Sequence, residues 1–209
     1  MHDVAWIGPR AFRHEQVIER VMQQSPVLPV HLGTLFSSDA AVQEFLRSQY
    51  FRISDFLDRV SGKEEWSVRV LVDHATAKER LALEDDGLSV NSSALSPGIR
   101  YLLLREKQAS NEDALTHWLA RTTQEILLQI HAVAEDFYDR AVLDSGDLPS
   151  GQRIVFNWSF LVSKDVLREF HECVQKINAK VLAHGLCLQA VGPWPPYSFT
   201  PKWNIDPTE

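Results

Sequence analysis

Two histidine–glutamate pairs, His14-Glu15 and His171-Glu172, are the residues of this sequence that come closest to a catalytic motif. A zinc peptidase helix carries a second histidine one turn after the first, so that both imidazole rings face one metal ion. Neither pair is followed by that second histidine. We therefore interpret both pairs as solvated positions on helices, and we expect no metal ion.

Motifs of nucleophilic and nucleotide-binding sites are also missing from the sequence. It contains no GxSxG elbow, no GxxxxGK phosphate loop and no GxGxxG segment. The two thiols, Cys173 and Cys187, lack CxxC spacing, so we expect free buried cysteines in a reducing cytoplasm. We expect neither a catalytic residue nor a cofactor. A Ser-His-Asp triad stays open because its members need not be close in the chain, and an enzyme with such a dispersed site is the alternative.

The most unusual stretch of the chain runs from Gly192 to Phe199 and reads Gly-Pro-Trp-Pro-Pro-Tyr-Ser-Phe. Its prolines have a rigid φ and no backbone N–H, which predicts an extended, stiff tail that is neither helix nor central strand. Trp194 and Tyr197 are each large enough to bury about 150–250 Å². The tail is therefore interpreted as a strap over the core. The PxxP spacing of Pro193 and Pro196 also fits an SH3-type ligand, although no basic residue lies close by.

Composition favours a folded protein and argues against several partners. Of the 209 residues, 44% are hydrophobic and 23% are charged, which is typical of globular proteins. The formal charge of -7 and the absence of a Lys/Arg-rich run argue against nucleic acid and anionic membranes as partners. The longest apolar-rich run, residues 154–162, is about half as long as a membrane helix, and no signal peptide is evident. We expect a cytoplasmic protein.

Hydrophobic spacing predicts three elements before residue 37. Residues 3–7 are predicted as a short strand, and residues 12–24 as a helix. Residues 26–36 are predicted as a strand in which Leu28, Val30 and Leu32 alternate with polar or turn residues. In this strand Pro29 lies at an edge or a bend and Gly33 suggests a close backbone approach.

A longer helix, capped by Ser37 or Ser38, is predicted to run to Gly62. Residues 66–72 then alternate as a strand with one apolar face, which should pair with residues 28–32. A short helical piece over residues 75–83 precedes an acidic, then Ser/Asn-rich loop at residues 84–97.

The second half begins with a helical stripe from Pro97 to Phe137, as one long helix or two stacked ones. A turn-rich link at residues 144–151 leads to a strand at residues 154–162 with a continuous aromatic face. Ser163 is predicted to cap the next helix, which ends at Gly185, and a strand returns at residues 186–191. We expect this helix to pack across the aromatic face of the strand.

The tail sequence Gly192-Pro-Trp-Pro-Pro-Tyr-Ser-Phe199 closely resembles the C-terminal signature of the gas vesicle protein family GvpF/GvpL. Upstream, Val27-Leu-Pro-Val-His-Leu-Gly-Thr-Leu-Phe36 is similar to the family's Leu-Pro-Val-Arg-Phe-Gly-Thr segment. Where the family usually has arginine this chain has His31, whose imidazole cannot form a bidentate carboxylate pair. The resemblance makes the two motifs the candidate site, with residues Leu28, Pro29, Val30, Gly33, Thr34, Phe36, Gly192, Pro193, Trp194, Pro195, Pro196, Tyr197 and Phe199.

The patterns and the resemblance together predict an α+β protein in two lobes. Residues 1–86 are expected to form an incomplete ferredoxin-like N-terminal lobe, since family members usually carry a further segment ahead of this point. Residues 87–139 are expected to form a loop and a helical linker. Residues 140–209 are expected to form a C-terminal β-α-β lobe, also ferredoxin-like, which ends in the Pro/aromatic tail.

The resemblance implies a non-catalytic accessory or minor structural protein, at the gas vesicle or in the cytoplasm. Its expected partners are the small, hydrophobic gas vesicle shell protein and other gas vesicle accessory proteins. Apolar-faced strands at residues 66–72 and 154–162 and an unpaired sheet edge are the expected means of binding. A deep pocket with convergent polar groups of perturbed pKa would instead favour an enzyme.

Overall fold

A four-stranded antiparallel sheet organises the part of the chain that the structure describes. In this computed structural model that part comprises residues 4–84, 97–142 and 151–202. The strands occur in the order β2-β3-β1-β4 and are β1 (Lys63–Asp73), β2 (Asp136–Arg140), β3 (Gln152–Ser163) and β4 (Leu186–Trp194). The helices are α1 (Val4–Met22), α2 (Asp39–Ser48), α3 (Tyr50–Val60), α4 (His74–Glu84), α5 (Pro97–His131) and α6 (Leu167–Val181).

The strand order is that of a ferredoxin-like fold. Strands β3 and β4 both pair antiparallel with β1, so they run parallel to each other with β1 between them. Helix α6 joins β3 to β4, whereas α4 and α5 lie between β1 and β2 in the chain. This β-α-β-β-α-β succession with split parallel pairs defines the motif. The predicted α+β class is confirmed.

The predicted pairing of residues 66–72 with residues 28–32 is wrong. Strand β1 lies at the centre of the sheet, paired with β3 on one side and with β4 on the other. The segment at residues 28–32 is not a strand. It leads into a turn in which the Thr34 N–H donates to the His31 carbonyl oxygen at 3.1 Å. Strand β1, from the predicted N-terminal lobe, therefore shares one sheet with β3 and β4, from the predicted C-terminal lobe. The boundaries at residues 86 and 139 stay a prediction.

One face of the sheet packs on α5 and α6, as expected from its apolar alternation. Phe170 of α6 is fully buried, and its ring lies 6.0 Å from that of Phe160 on β3. The predicted packing of this helix across the aromatic face of β3 is therefore confirmed. The buried apolar residues of this core are Val68, Val70, Val72, Ala77, Leu115, Ile126, Ile130, Trp158, Phe160, Val162, Phe170, Val174, Ile177, Leu186 and Leu188.

Capping residues account for two of the predicted helix boundaries. The Ser38 hydroxyl oxygen accepts a hydrogen bond from the Ala41 N–H at 3.2 Å and so caps α2. Gly185 has φ 79°, the left-handed conformation that closes the turn after α6. Both positions were predicted from residue type.

Other predicted boundaries are wrong. Residues 4–7 of the strand expected at residues 3–7 belong to α1, which continues through Pro9. The helix predicted from Ser38 to Gly62 is broken at Gln49 into α2 and α3. Phe137 lies in β2 and not at the end of the predicted helical stripe. Its ring packs on the apolar core, as the stripe indicated, but a strand carries it there. Most of the predicted loop at 84–97 and link at 144–151 lies outside the described residues.

Candidate functional site

The C-terminal tail packs on the sheet face that α5 and α6 leave uncovered. Pro195, Pro196 and Phe199 are buried. Phe199 belongs to a second apolar cluster with Phe56 and Val60 of α3 and Leu161 of β3. The predicted strap over the core is thus what the structure contains, although the tail is less extended than expected. Its first three residues continue β4, and residues 197–199 form a single 3-10 turn.

A buried carboxylate holds the tail to the sheet. Glu65 of β1 is only 1% exposed, on the same face as Leu161. The Ser198 N–H donates to one of its carboxylate oxygens at 3.0 Å, and the Ser198 hydroxyl donates to the other at 2.6 Å. The Ser159 and Ser198 hydroxyl oxygens lie 3.0 Å apart, so Ser159 can donate to Ser198 in turn. The signature serine is therefore an anchor of the tail.

The environment of Glu65 favours its neutral form. Burial raises the pKa of its carboxyl above the ordinary value of 4.5. The hydrogen bonds from Ser198 and Ser159 and the nearby positive charge of Arg140 lower the pKa and offset part of that effect. Because desolvation is the larger influence, the folded protein binds a proton at Glu65 more readily than the unfolded chain does.

Tyr197 connects the tail to the upstream motif. Its hydroxyl donates to the Glu15 carboxylate of α1 at 3.1 Å. Its ring stacks on that of His31, with centroids 5.4 Å apart and planes 22° apart. Burial, followed by the Glu15 carboxylate, raises the pKa of the Tyr197 phenol. The His14 ring hydrogen-bonds to the Val30 carbonyl oxygen at 2.8 Å, so α1, residues 27–36 and the tail meet at one place.

Glycine is needed at two positions of the motifs for different structural reasons. A Cβ on Gly192 would lie 3.0 Å from the Glu65 carbonyl oxygen and 3.0 Å from carbon atoms of the Trp66 ring. Gly192 is therefore a site of close backbone approach. Gly33 is not, because a Cβ there would meet nothing within 4 Å. Its φ of 91° places it in the left-handed region instead, which corrects the predicted close approach.

An open cavity of about 450 Å³ lies between α1, the segment at residues 31–32, the sheet and the tail. Two arginines, Arg69 of β1 and Arg140 of β2, contribute to its wall. The Glu15 and Glu65 carboxylates also lie on this wall, but both accept hydrogen bonds from the tail. A general acid or base must contact its substrate. Glu65, with both oxygens engaged by Ser198, is better arranged to hold the tail than to transfer a proton to a ligand.

The structure brings some of the predicted site residues together and separates others. In the first motif Pro29 is buried and Leu28 packs on the second apolar cluster, whereas Val30, Gly33, Thr34 and Phe36 are exposed. In the second motif Trp194 is half-buried and lines the cavity beside Pro195 and Tyr197, whereas Pro193 is exposed at the sheet edge. Whether these residues form a functional site stays a proposal.

Sequence reasoning missed Glu65, Ser159, Ser198, Arg69 and Arg140. Glu65, Ser67 and Arg69 alternate on β1, and this spacing only indicates a polar face open to solvent. Ser198 was visible as part of the tail signature, but its partner lies 133 positions away in the chain. No local pattern in the sequence connects the two.

The histidine and cysteine predictions need correction. The His171 ring packs edge-on against Trp66 with centroids 4.4 Å apart, so His171 is not simply a solvated helix position. Cys173 and Cys187 are free thiols as predicted, but both are half-buried. Burial raises the pKa of Cys173. Within the described ranges no group of three His, Cys, Asp or Glu side chains could hold a metal ion.

Fold and tail together define a class of α+β protein in which the chain's own Pro/aromatic tail covers part of the polar face of a ferredoxin-like sheet. The family described as "Gas vesicle synthesis protein GvpL/GvpF" matches residues 4–201. The chain therefore belongs to the GvpL/GvpF family, and the resemblance of the two motifs is confirmed.

Curated relatives and solved structures agree with this assignment. The chain is 23% identical to gas vesicle protein L of Streptomyces sp. strain CB03234, covering 95% of this chain and 71% of that protein. It is 23% identical to gas vesicle protein L1 of Halobacterium salinarum, covering 90% and 69%. The crystal structure of GvpF from Anabaena sp. PCC7120 has the same fold, with a TM-score of 0.68 and 18% identity over 91% of this chain and 76% of that one. GvpF from Microcystis aeruginosa matches with a TM-score of 0.60 and 18% identity over 90% and 76%.

In the part of the chain that the structure describes, no helix is long and apolar enough to cross a bilayer.

Proposed function

We propose that this protein is a non-catalytic accessory or minor structural protein that binds the small hydrophobic shell protein during gas vesicle nucleation or growth. Its place is the gas vesicle and the cytoplasm around it, and its further partners are other gas vesicle accessory proteins. Neither nucleic acid nor a membrane is a partner. Membership of the GvpL/GvpF family supports a role with gas vesicles, and the surface described next supports binding of an apolar partner.

The observation that carries the proposal is an exposed apolar surface on α2, α3 and the segment before them. Leu35 is 89% exposed and Phe51 is 85% exposed. Phe36, the last residue of the first motif, is 40% exposed and packs its ring against Phe45 at 5.5 Å. We call this the α2–α3 surface, with exposed residues Leu35, Phe36, Leu46, Tyr50 and Phe51. Five exposed large apolar side chains within residues 35–51 make this stretch a candidate interaction site.

A shell subunit with an apolar face aggregates in water until it is assembled, because burial of that face is strongly favourable. The α2–α3 surface offers such a face a temporary cover. The formal charge of -7 keeps the carrier itself apart from other copies.

The means of binding differ from those expected from sequence. The apolar faces of β1 and β3 are covered by α5 and α6, so they are not available to a partner. Strand β1 has no unpaired edge either, since β3 and β4 flank it. Among the described strands β4 is an edge strand, and strand addition could occur there as a secondary contact.

Reconstitution tests the proposal. Urea-denatured shell protein is diluted into buffer that contains chelator and no nucleotide, with and without the purified protein. The parent protein should keep the diluted shell protein soluble. The double variant Leu35→Ser/Phe51→Ser should fold normally, since exposed substitutions change the free energy of unfolding by about 0.5 kcal/mol or less, yet it should lose this activity. Leu128→Ser, at a 62% exposed position of α5, is the matched control and should retain the activity.

Equal activity of the double variant and the parent would exclude the α2–α3 surface. Failure of the parent itself to hold shell protein soluble would overturn the proposed function. An absolute requirement for a metal ion or for ATP hydrolysis by the purified protein would favour an enzyme.

The second candidate is an enzyme with a dispersed site, and the polar cavity with the raised pKa of Glu65 favours it. Glu65→Gln would abolish turnover in such an enzyme while leaving the solubility of shell protein unaffected. The non-catalytic proposal predicts no turnover by the parent and the same solubilising activity in the variant.

A further inference from the structure

We propose that the cavity of about 450 Å³ is a binding site for a carboxylate group attached to an apolar body, as in an acidic side chain flanked by apolar residues of a partner peptide. The site lies beside the tail and is separate from the α2–α3 surface. This inference goes beyond the shell-protein function and does not require it.

The positive charge of the site comes from one row across the sheet. Arg69 and Arg140 both lie opposite Asn157 in the strand register, so the three side chains project from the same face. With strands about 4.8 Å apart, the two arginine backbones are about 10 Å apart. Arginine side chains of this spacing can converge on a single carboxylate, which guanidinium groups bind in a bidentate manner.

Neither guanidinium is used within the described part of the protein. Arg69 and Arg140 form no hydrogen bond or ion pair with any described residue, although Arg140 lies close enough to Glu65 to favour its ionised form. Because the two arginines have no acceptor among the described residues, they can bind an anion without first breaking a contact with any of them.

One further polar group lines the cavity beside the arginines. Ser67 is 3% exposed, and a hydroxyl in this position can donate to a bound acceptor. Asn157 lies opposite both arginines on the same face, and its buried side-chain carbonyl oxygen has no hydrogen-bond partner among the described residues, but Asn157 does not line the cavity. A ligand in the cavity therefore meets a hydroxyl donor next to the two guanidinium groups.

The rest of the wall selects the charge and character of the ligand. Leu32, Trp194 and Pro195 provide apolar surface next to the arginines. The Glu15 carboxylate lies on the same wall and repels a dianion more strongly than a monoanion. A carboxylate is therefore favoured over a phosphate, and an apolar body is favoured over a small hydrophilic acid.

Binding of defined probes to the full chain tests the assignment. The probes are the peptide Ac-Ala-Leu-Glu-Leu-Ala-NH2, its counterpart with Gln in place of Glu, hexanoate and inorganic phosphate, each titrated to millimolar concentration by calorimetry. The Glu peptide or hexanoate should bind at one site, and the tighter of the two identifies the source of the carboxylate. Arg69→Gln and Arg140→Gln should each weaken this binding by about tenfold. Arg153→Gln, at an exposed position of β3 outside the cavity, is the matched control and should bind as the parent does.

The melting temperatures of all variants are measured alongside, to show that each variant is folded. Arg140 is at an exposed position of an edge strand, so its substitution should leave the fold intact. The assignment is overturned if neither carboxylate probe binds, or if the Gln peptide binds as tightly as the Glu peptide. Tighter binding of phosphate than of hexanoate, or equal binding by the parent and both arginine variants, also overturns it.

Discussion

At the scale of single residues, Glu65 is the least expected feature of the molecule. A carboxylate at a 1% exposed position would be strongly destabilising without partners. Ser198 supplies two hydrogen bonds, one from its backbone and one from its hydroxyl. The signature residue Ser198 thus satisfies the carboxyl group buried in the sheet, while its neighbour Phe199 fills the apolar cluster beside it.

The raised pKa of Glu65 predicts a dependence of stability on pH. Since the folded state favours the neutral acid, this contribution to stability is fully present below the ordinary pKa of 4.5 and is lost as the pH rises through the raised value. Glu65→Gln has no charge to bury, so its free energy of unfolding should improve relative to the parent as the pH rises from about 4 to 8. Urea unfolding across this range measures the difference.

Glu79→Gln, at an exposed position of α4, controls for the loss of a carboxylate elsewhere. A difference between Glu65→Gln and the parent that stays constant with pH would contradict the prediction.

Adding a side chain at Gly192 should cause a steric clash at the start of the tail. Gly192→Ala would place a Cβ 3.0 Å from the carbonyl oxygen of Glu65, which belongs to the central strand and cannot easily move. Overpacking of this kind should lower the free energy of unfolding by about 1–3 kcal/mol. Gly8→Ala is the matched control, because that Cβ would meet nothing within 4 Å and alanine is favoured by about 0.5–1 kcal/mol inside a helix. Denaturant unfolding compares the two, and equal effects would show that the close approach is unimportant.

At the scale of elements, the β3-α6-β4 unit is the part of the chain in which local and tertiary signals agree. Ser163 accepts a hydrogen bond from the Asp165 N–H at 3.3 Å, and the left-handed Gly185 ends the connection to β4. A Cβ on Gly185 would lie 2.8 Å from the backbone nitrogen of Ala77 in α4. Gly185 therefore stops a helix and also lets another element approach.

Truncation of a core ring tests the packing of α6 on the sheet. Phe170→Ala removes a fully buried side chain, so the free energy of unfolding should fall by about 3–5 kcal/mol. Leu128→Ala, 62% exposed on α5, removes an apolar side chain from the surface and should change it by about 0.5 kcal/mol or less. Thermal or urea unfolding measures both, and an unchanged midpoint for Phe170→Ala would mean that α6 does not cover the sheet.

At the scale of the whole molecule, the two faces of the sheet are closed in different ways. Helices α5 and α6 cover one face with apolar contacts. The tail and α3 cover part of the other through Phe199, and the tail also bonds to Glu65 and to Glu15 of α1. The tail is thus a structural part of the fold as well as a family signature.

Deletion of residues 192–209 should therefore destabilise the protein as a whole. It removes Phe199 from the second apolar cluster and leaves Glu65 without its Ser198 partners. Loss of a buried aromatic side chain alone costs about 3–5 kcal/mol. Differential scanning calorimetry should record a clear fall in Tm. A truncated protein that melts like the parent and loses only partner binding would instead make the tail a recognition element.

Local features of the structure were predictable from sequence because they depend on residues close in the chain. The aromatic alternation of β3, the stripe of α6, the Ser38 cap and the Gly185 stop all follow from periodicity and residue type. The rigid tail and its docking followed from the fixed φ of proline and from rings too large to leave in water.

Only the tertiary structure decided which strands are neighbours and which polar residues meet. Periodicity shows that β1 has an apolar face, but it carries no information about partners, which turned out to be β3 and β4. The contacts of Glu65 with Ser198 and the placing of Arg69 opposite Asn157 join residues far apart in sequence. Such contacts arise from sheet order and register, and a one-residue shift would turn these side chains to the opposite face.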